Sequence, residues 1–522
     1  MNAWPKAIEV VESCLKAGIS EFVVCAGARN AALLEALARA ETAGLVKLWR
    51  HFEDRSAGFF ALGRTMETAK PCAVVTTSGT AVAELLPAVI EAFYQARPLV
   101  AITADRPAEF RGTGSPQTME QIGIFGEHAW QGPADWDGKR PMHWNVEFEE
   151  AFTLGDEDFS KAAVGEFVAV KDRLDVAKLA RWLREDAYKG LVVLIGGLEP
   201  EEREEVFHFC EALDAPVIAE ATSGLREALQ PLTISDGDRV LKANPPGKIL
   251  RLGEVPSGRF WRDLEEMPEV SVWSVCRNGL PGLARESSVI RGGLDRVLPA
   301  IGDVDPVEDA LDYLPYASRS AAMIDELLES YPDSEPGLIR TLSHYVSVGS
   351  GLFLGNSMPI REWNVYAQRD RPVTNVRANR GVNGIDGQVS TWLGWSAELS
   401  DAWAVVGDLT TLYDLAAPFL LDQVTGAGRV LAVINNGGGK IFESLPRLQS
   451  MSPRAIECMT NPQAADLSGF AKLWGMDHLR ISTTDDFDRF EAGEKMLLLE
   501  IVPNEAQTKR FWESWATFAP KA

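Results

Sequence analysis

The chain has 522 residues, 46% of them hydrophobic and 24% charged, and its 51 Lys plus Arg against 75 Asp plus Glu give a formal charge of −24. Those proportions describe a globular protein able to bury large cores, with length for about three domains, and they exclude disorder. The acidity argues against a nucleic-acid or anionic-membrane partner, yet it leaves room for a locally basic pocket that takes small anions. Six scattered cysteines (Cys14, Cys25, Cys72, Cys210, Cys276, Cys458) without a CxxC pair read as thiols of a reducing cytosol, not as a disulfide framework or zinc site. The opening residues MNAWPK carry no basic-then-apolar leader, and the apolar runs fall far short of the ~20 residues that span a bilayer. A soluble, cytoplasmic protein is expected.

Short β-branched runs alternate with longer helical patterns, the mark of α/β units on parallel sheets. In chain order, a helix is expected over Ala7–Lys16, a strand over Glu21–Gly27, a helix over Arg29–Ala40 and a strand over Cys72–Thr77. The Ser78-Gly79-Thr80 turn then caps a helix running to about Tyr94, and Leu99–Ala104 is a strand. Trp130–Trp144, rich in Trp, Gly and Pro, reads as irregular. A second set has strands over 191–197, 215–221, 248–255 and 269–275, with a charged helix from Glu201. Asp303–Asp312 and a helix from Ala317 to Tyr331 read as a connection, and Pro332–Pro336 as a linker. The third set has strands over 351–357, 403–409, 429–436 and 496–502. The expected fold is α/β, with three doubly wound parallel-sheet domains over 1–180, 181–335 and 336–522.

The strongest chemical signal is Gly407-Asp408 at the end of one apolar strand and Asn435-Asn436-Gly437-Gly438 at the end of the next, with one crossover helix (Leu412–Val424) between them. Both ends then lie side by side on the carboxyl edge of a parallel sheet, where ligands bind. A carboxylate, an amide oxygen and a backbone carbonyl are hard donors suited to Mg²⁺ carrying a diphosphate, and the glycines admit close approach of the backbone. Alone, each motif is an ordinary turn signal. Together they favour a metal–diphosphate site.

This pairing resembles the cofactor fingerprint of thiamine-diphosphate-dependent enzymes, whose pyrimidine, central and diphosphate domains match the three sets. Within them the chain resembles the menaquinone-pathway synthases that join 2-oxoglutarate to isochorismate. The likeness runs through HFEDRSAGFFALG (51–63), TSGTAVAELLPAVIEA (77–92), ITADRP (102–107), GNSMPIR (355–361), NRGVNGIDG (379–387), GDLTTLYDL (407–415) and NNGGGKIFESLP (435–446). It implies thiamine diphosphate and Mg²⁺ (or Mn²⁺) as cofactors, with Asp408, Asn436 and the carbonyl of Gly438 holding the metal. Ile441, Phe442 and Leu445 would wall the cofactor; as apolar helical residues they also suit a core. It further implies a homodimer or homotetramer.

In that family a Glu at the pyrimidine ring activates the cofactor from an Asp-Glu-Arg motif, whereas this chain reads Glu53-Asp54-Arg55. Asp54 takes the Glu's place, one methylene shorter, beside Glu53. Such contacts need ~2.6–3.2 Å, so either Asp54 reaches the ring, a local shift presents Glu53, or activation is weakened. Spacing favours Asp54. An acidic residue opening a helix is also accounted for by the helix dipole. His51, before the motif, reads as structural or as a supporting hydrogen bonder.

Arginine suits carboxylates because its planar fork donates two parallel hydrogen bonds. By the same resemblance, Ser357, Arg361 and Arg380 face 2-oxoglutarate, and Arg29, Arg106 and Gln117 face isochorismate. Two departures bear on the second group: Gly-Ser-Arg-Ser of the family is Gly27-Ala28-Arg29-Asn30, and a central Lys-Arg pair is Arg259-Phe260. The competing readings are an acetolactate-synthase-like enzyme and a catalytically impaired cofactor-binding homologue. The arginines count against the first, and the intact Asp408/Asn436 pair against the second.

Overall fold

Apolar runs shielded on both faces form three all-parallel sheets in the computed structural model, which describes residues 2–517 apart from 158, 185–189, 308–312, 427, 444–447, 449 and 492. The first sheet has the order β2-β1-β3-β4-β6-β5, from β1 (Glu21–Cys25), β2 (Lys47–His51), β3 (Cys72–Thr76), β4 (Leu99–Asp105), β5 (Trp130–Gln131) and β6 (Met142–Glu147). The second, β11-β10-β9-β7-β8, comprises β7 (Leu191–Ile195), β8 (Val217–Ala219), β9 (Lys248–Leu252), β10 (Ser271–Cys276) and β11 (Ser288–Arg291). The third, β13-β12-β14-β15-β17-β16, comprises β12 (Gly351–Leu354), β13 (Val376–Arg377), β14 (Ala402–Gly407), β15 (Arg429–Ile434), β16 (Asp477–Ile481) and β17 (Leu497–Ile501). Strand order reverses beside β1/β3 and β12/β14, the places where open parallel sheets bind ligands beyond their carboxyl ends.

The chain folds into two compact units. One comprises Met1–Lys171, Gly381–Leu399 and Leu412–Gly426, and holds the first sheet; the other comprises Asp172–Arg380, Ser400–Thr411 and Ala427–Ala522, and holds the second and third. The segment after β14 is therefore not the single crossover helix expected over Leu412–Val424. It is a helix over Asp408–Tyr413 followed by a 3-10 turn over Ala417–Leu420, and its later part packs with the first unit instead of lying along the third sheet.

Three further differences have local causes. Trp130–Trp144 is not wholly irregular: Trp130 and Gln131 pair in register with Met142 and His143, so the stretch carries the edge of the first sheet. Pro332–Pro336 is not a linker, because Pro336 stands in the first turn of a helix over Glu335–Ser343 whose N-cap, Ser334, accepts from the Gly337 amide at 3.2 Å. Proline suits that turn, whose amides have no intrahelical partner. Thr80 opens its helix without a side-chain cap; Ser78 Oγ donates instead to the Gln117 carbonyl at 2.8 Å. Part of Asp303–Asp312 lies outside the described residues.

In the first unit the helix over Asp54–Thr68 crosses the helix over Gln388–Trp395 at backbone contact. A Cβ on Gly63 would lie 2.1 Å from the Thr391 carbonyl oxygen, and one on Gly394 the same distance from that of Phe60. Buried Asp414 ties the two helix starts, accepting from Ser56 Oγ at 3.2 Å, Ser390 Oγ at 2.9 Å and the Ser390 amide at 2.7 Å. Neither backbone has room to retreat without opening that network. Gly394→Val should therefore cost about 3 kcal/mol or more, the upper range for overpacking, read as a lowered urea midpoint. An unchanged midpoint would mean that the helices are not in backbone contact.

Candidate active site

Parallel register places the first cluster. Cys25 of β1 lies opposite His51 of β2, so both strands exit together beneath Glu53 and Asp54. His51 Nδ1 accepts from the Glu53 amide at 2.9 Å and Nε2 meets the Ala416 carbonyl at 3.2 Å, which makes His51 a neutral clamp on this corner. Glu53 is the N-cap of the helix that starts at Asp54: its carboxylate accepts from the Ser56 amide at 2.9 Å and lies 3.6 Å from Arg55 Nε. Asp54 differs. Its carboxyl takes a hydrogen bond from the Cys25 thiol, and its Oδ1 is buried without a hydrogen-bond partner. Burial pushes the carboxyl up to about 6, with the thiol bond opposing and the Glu53 and Glu84 charges adding to the rise.

Around the same sheet edge, Arg106 donates through Nε to the Pro116 carbonyl at 3.1 Å and lies over the Phe110 ring. Gln117, next in that loop, is exposed in the left-handed region with φ of 51°. Gly79, with φ of 85°, passes so close that a Cβ there would meet the Gln117 backbone at 3.1 Å. Its amide donates to the buried side chain of Gln121, which the sequence had not singled out. Arg106 and Gln117 thus share a loop cluster. Arg29 is buried and engaged elsewhere on the edge, donating to the Phe148 carbonyl at 3.1 Å and pairing with Glu150 at 3.4 Å.

The second cluster lies in the other unit. Gly407 is in register with Ile434, which brings Asp408 beside Asn435 and Asn436. Asp408 Oδ1 accepts from its neighbour Leu409 at 2.6 Å, and Oδ2 from the Gly437 amide at 3.0 Å and Gln463 Nε2 at 2.7 Å. Burial raises this carboxyl above its ordinary range, with those donors opposing. Asn436 donates to both oxygens of Glu335 at 3.0 and 3.2 Å, while its own Oδ1 is buried without a partner. The Gly438 carbonyl accepts from the Lys440 amide at 2.9 Å, leaving its second lone pair. Gly438 has φ of 135°, and a Cβ would lie 2.6 Å from the Thr460 carbonyl oxygen, so only glycine fits. An orphaned amide oxygen, a carboxylate and a carbonyl gathered at two adjacent strand ends fit a hard divalent cation.

Ile441 and Phe442 stand half-exposed on a 3-10 turn over Lys440–Phe442, not on a core-packed helix, and Leu445 lies outside the described residues. Gln463 bridges Asp408 and Asn435, and Glu335 and Glu362 are buried behind Asn436. Nothing in their spacing distinguished these three from ordinary polar residues.

The third group gathers along the seam of the second and third sheets, both within this unit. Ser357 takes φ of 72° before the helix over Met358–Tyr366, and its carbonyl accepts from Arg361. Arg380 donates to Asn356 Oδ1 at 2.8 Å, and its Nε is buried without a partner. Burial and then the neighbouring Arg380 lower the Arg361 guanidinium from its usual value, while Glu220 and Asp238 oppose. A cavity of about 790 Å³ opens here, lined among others by Glu220, Asp238, Ser257, Arg259, Arg361 and Asn364. The Arg259 side chain is exposed and pairs with Asp263 at 3.5 Å, and Phe260 beside it is buried. Paired, desolvated guanidiniums with a free N–H suit a small carboxylate.

Residues 6–124 match the family described as thiamine pyrophosphate enzyme, N-terminal TPP binding domain. The chain is 47% identical over 518 residues to the 2-succinyl-5-enolpyruvyl-6-hydroxy-3-cyclohexene-1-carboxylate synthase of Akkermansia muciniphila, covering 96% of each. It is 36% identical over 528 residues to the protein of the same name in Bdellovibrio bacteriovorus, covering 98% of each. Among solved structures, benzoylformate decarboxylase from Polynucleobacter necessarius shares the fold, with a TM-score of 0.69 and 14% identity over 97% of this chain and 99% of that one.

The Asp54 environment yields a titration. Its folded-state value of about 6 stands above the ordinary 3.8, so ionisation costs folding free energy that grows as pH rises through that window and is complete above it. Asp54→Asn removes the cost. The variant should melt above the parent protein at pH 8, with the gap closing by pH 4, and a carboxyl ¹³C resonance titrating near 6 should vanish from its spectrum. A gap independent of pH would sink the assignment.

Proposed function

The chain belongs to the family of 2-succinyl-5-enolpyruvyl-6-hydroxy-3-cyclohexene-1-carboxylate synthases, and on that premise we propose that it decarboxylates 2-oxoglutarate and adds the succinyl carbanion equivalent to isochorismate by 1,4-addition, in menaquinone biosynthesis. The observation that carries the reading is the Asp408–Asn436 pair on adjacent strand ends, with an amide oxygen left open for a cation. When bound, thiamine diphosphate supplies the electron sink for decarboxylation and for transfer of the acyl unit.

The chain's own residues do the rest. Asp408, Asn436 Oδ1 and the Gly438 carbonyl would hold Mg²⁺ or Mn²⁺ together with the diphosphate, and Ile441 and Phe442 would wall the cofactor. Asp54 would be the activating carboxylate, offering its open Oδ1 to the cofactor's aminopyrimidine ring, and a value near 6 suits a proton-exchanging group at neutral pH. Glu53 caps the helix and so fixes where Asp54 points. Ser357, Arg361 and Arg380 take the carboxylates of 2-oxoglutarate, and Arg29, Arg106, Gln117 and Arg259 face isochorismate.

The division into pyrimidine (1–180), central (181–335) and diphosphate (336–522) domains fits the three sheets. A homodimer, or a tetramer of such dimers, is the assembly we propose, with Asp54 of one subunit serving the diphosphate site of the other. Among the described residues no helix is long and apolar enough to cross a membrane. The free thiols suit a reducing cytoplasm.

Purified protein with Mg²⁺, thiamine diphosphate and 2-oxoglutarate should release CO₂, and should form the adduct once isochorismate is added. Release of CO₂ without adduct would leave a decarboxylase and remove the synthase. Asp54→Ala should lower kcat by roughly 10²- to 10⁴-fold, the range for a lost proton-transfer group, whereas Glu53→Ala should lower the melting temperature with a smaller loss of rate. The reverse ranking would transfer the activating role to Glu53. Arg361→Ala should raise KM for 2-oxoglutarate roughly 10- to 100-fold, as expected for a lost charge-assisted contact, and Arg361→Lys should restore little of it. An unchanged KM would take Arg361 out of the substrate site.

A further inference from the structure

Each of the two adjacent asparagines beyond β15 rests its amide nitrogen on a buried carboxylate. Asn435 Nδ2 donates to Glu500 Oε1 at 2.7 Å, and Glu500 is held in turn by His478 at 2.9 Å. Asn436 Nδ2 donates to Glu335 Oε1 at 3.2 Å and Oε2 at 3.0 Å. The two differ at the oxygen end. Asn435 Oδ1 is satisfied by Gln463 Nε2 at 2.9 Å, whereas Asn436 Oδ1 is buried and receives nothing from the chain.

We infer that Glu335 is a positioning residue that locks the Asn436 side chain with its nitrogen turned inward, so that Oδ1 is the atom offered to the divalent cation. The inference rests on the reading that Asp408, Asn436 and Gly438 form the cation site, and it adds what orients that site. An amide's two ends are nearly the same size, so packing alone selects neither. A carboxylate only accepts, so it takes the NH₂ end and repels the oxygen. Reversal of Asn436 would set oxygen against oxygen and point a donor at the cation.

Glu335 is itself fixed from several sides. It opens the helix over Glu335–Ser343, its amide donates to Thr508 Oγ1 at 3.0 Å, and the preceding Asp333 accepts from the Thr484 amide at 2.9 Å and Gln507 at 3.2 Å. It is nearly fully buried, at 4% exposure, and Glu362 of the next helix is buried beside it. The helix start therefore carries its carboxylate to Asn436 with little freedom to swing. A helix-opening Glu normally faces water. This one faces inward.

The test is Mn²⁺ binding followed by electron paramagnetic resonance, with and without thiamine diphosphate, which reads the site without turnover. Glu335→Gln keeps the shape but offers an NH₂ that can pair with either end of the Asn436 amide. Its Mn²⁺ dissociation constant should rise roughly 10- to 100-fold, the range for lost support of a metal ligand, while kcat at saturating Mn²⁺ falls by no more than about threefold. Glu335→Asp, still acceptor-only, should recover most of the affinity, which a merely structural role would not require. If Glu335→Gln does not fold, Glu335→Ala, which leaves the amide free to turn, is read the same way. Mn²⁺ affinity in Glu335→Gln equal to that of the parent protein overturns the inference. Absence of Mn²⁺ binding by the parent protein overturns the cation-site reading itself.

Discussion

The parallel pairing of β14 with β15 is the constraint on which the third sheet's chemistry depends. Because Gly407 is opposite Ile434, the residues that follow each strand leave the sheet at the same level. Asp408 and Asn436 meet there with no loop spanning the distance between them. The strands hold this register because Val405, Val406, Leu431 and Val433 are completely buried, each worth about 1.5–3 kcal/mol. A slip by one residue would turn all of these side chains to the opposite face and separate Asp408 from Asn436.

Around that fixed point, one device recurs. A buried acidic side chain is kept out of water and given a job that an acceptor alone can do. Asp414 ties two helix starts, Glu220 receives Ser257 and Gly258, Glu500 receives Asn435, and Glu335 receives Asn436. Asp54 departs from this, as Asp236 does: each has one buried oxygen without a hydrogen-bond partner, and burial raises both carboxyls. Burial without a full set of partners is what moves a carboxyl toward neutral pH. The net charge of −24 is thus a poor guide to the interior, where arginines 361 and 380 gather in a desolvated seam.

Much of this was legible in the sequence because fully buried strands write themselves as unbroken apolar runs, and because Asp408 and Asn436 follow two such runs directly. What stayed hidden depends on long-range contact. Leu412–Val424 has helical spacing but breaks into turns, since its packing partners are in the first unit. Pro332–Pro336 has linker composition, yet its serine and proline are the start signals of a helix. Glu53 and Asp54 are chemically alike and adjacent; only the cap seat occupied by one, and the thiol beside the other, separates them. Glu335 was invisible for a simpler reason. No spacing rule connects residue 335 to residue 436, and the contact exists only once a helix and a strand exit have been brought together.

The backbone contact of Gly63 with Thr391 carries a consequence in time. The first compact unit needs residues 381–399 and 412–426 as well as everything up to Lys171. On the ribosome, at about 5–20 residues per second, the leading segment is made long before those pieces emerge. Its helix over Asp54–Thr68 waits with a bare glycine face, shaped for a partner not yet synthesised. The first unit is therefore begun early and closed only after residue 426 has been made, with all six strands of its sheet in place long before.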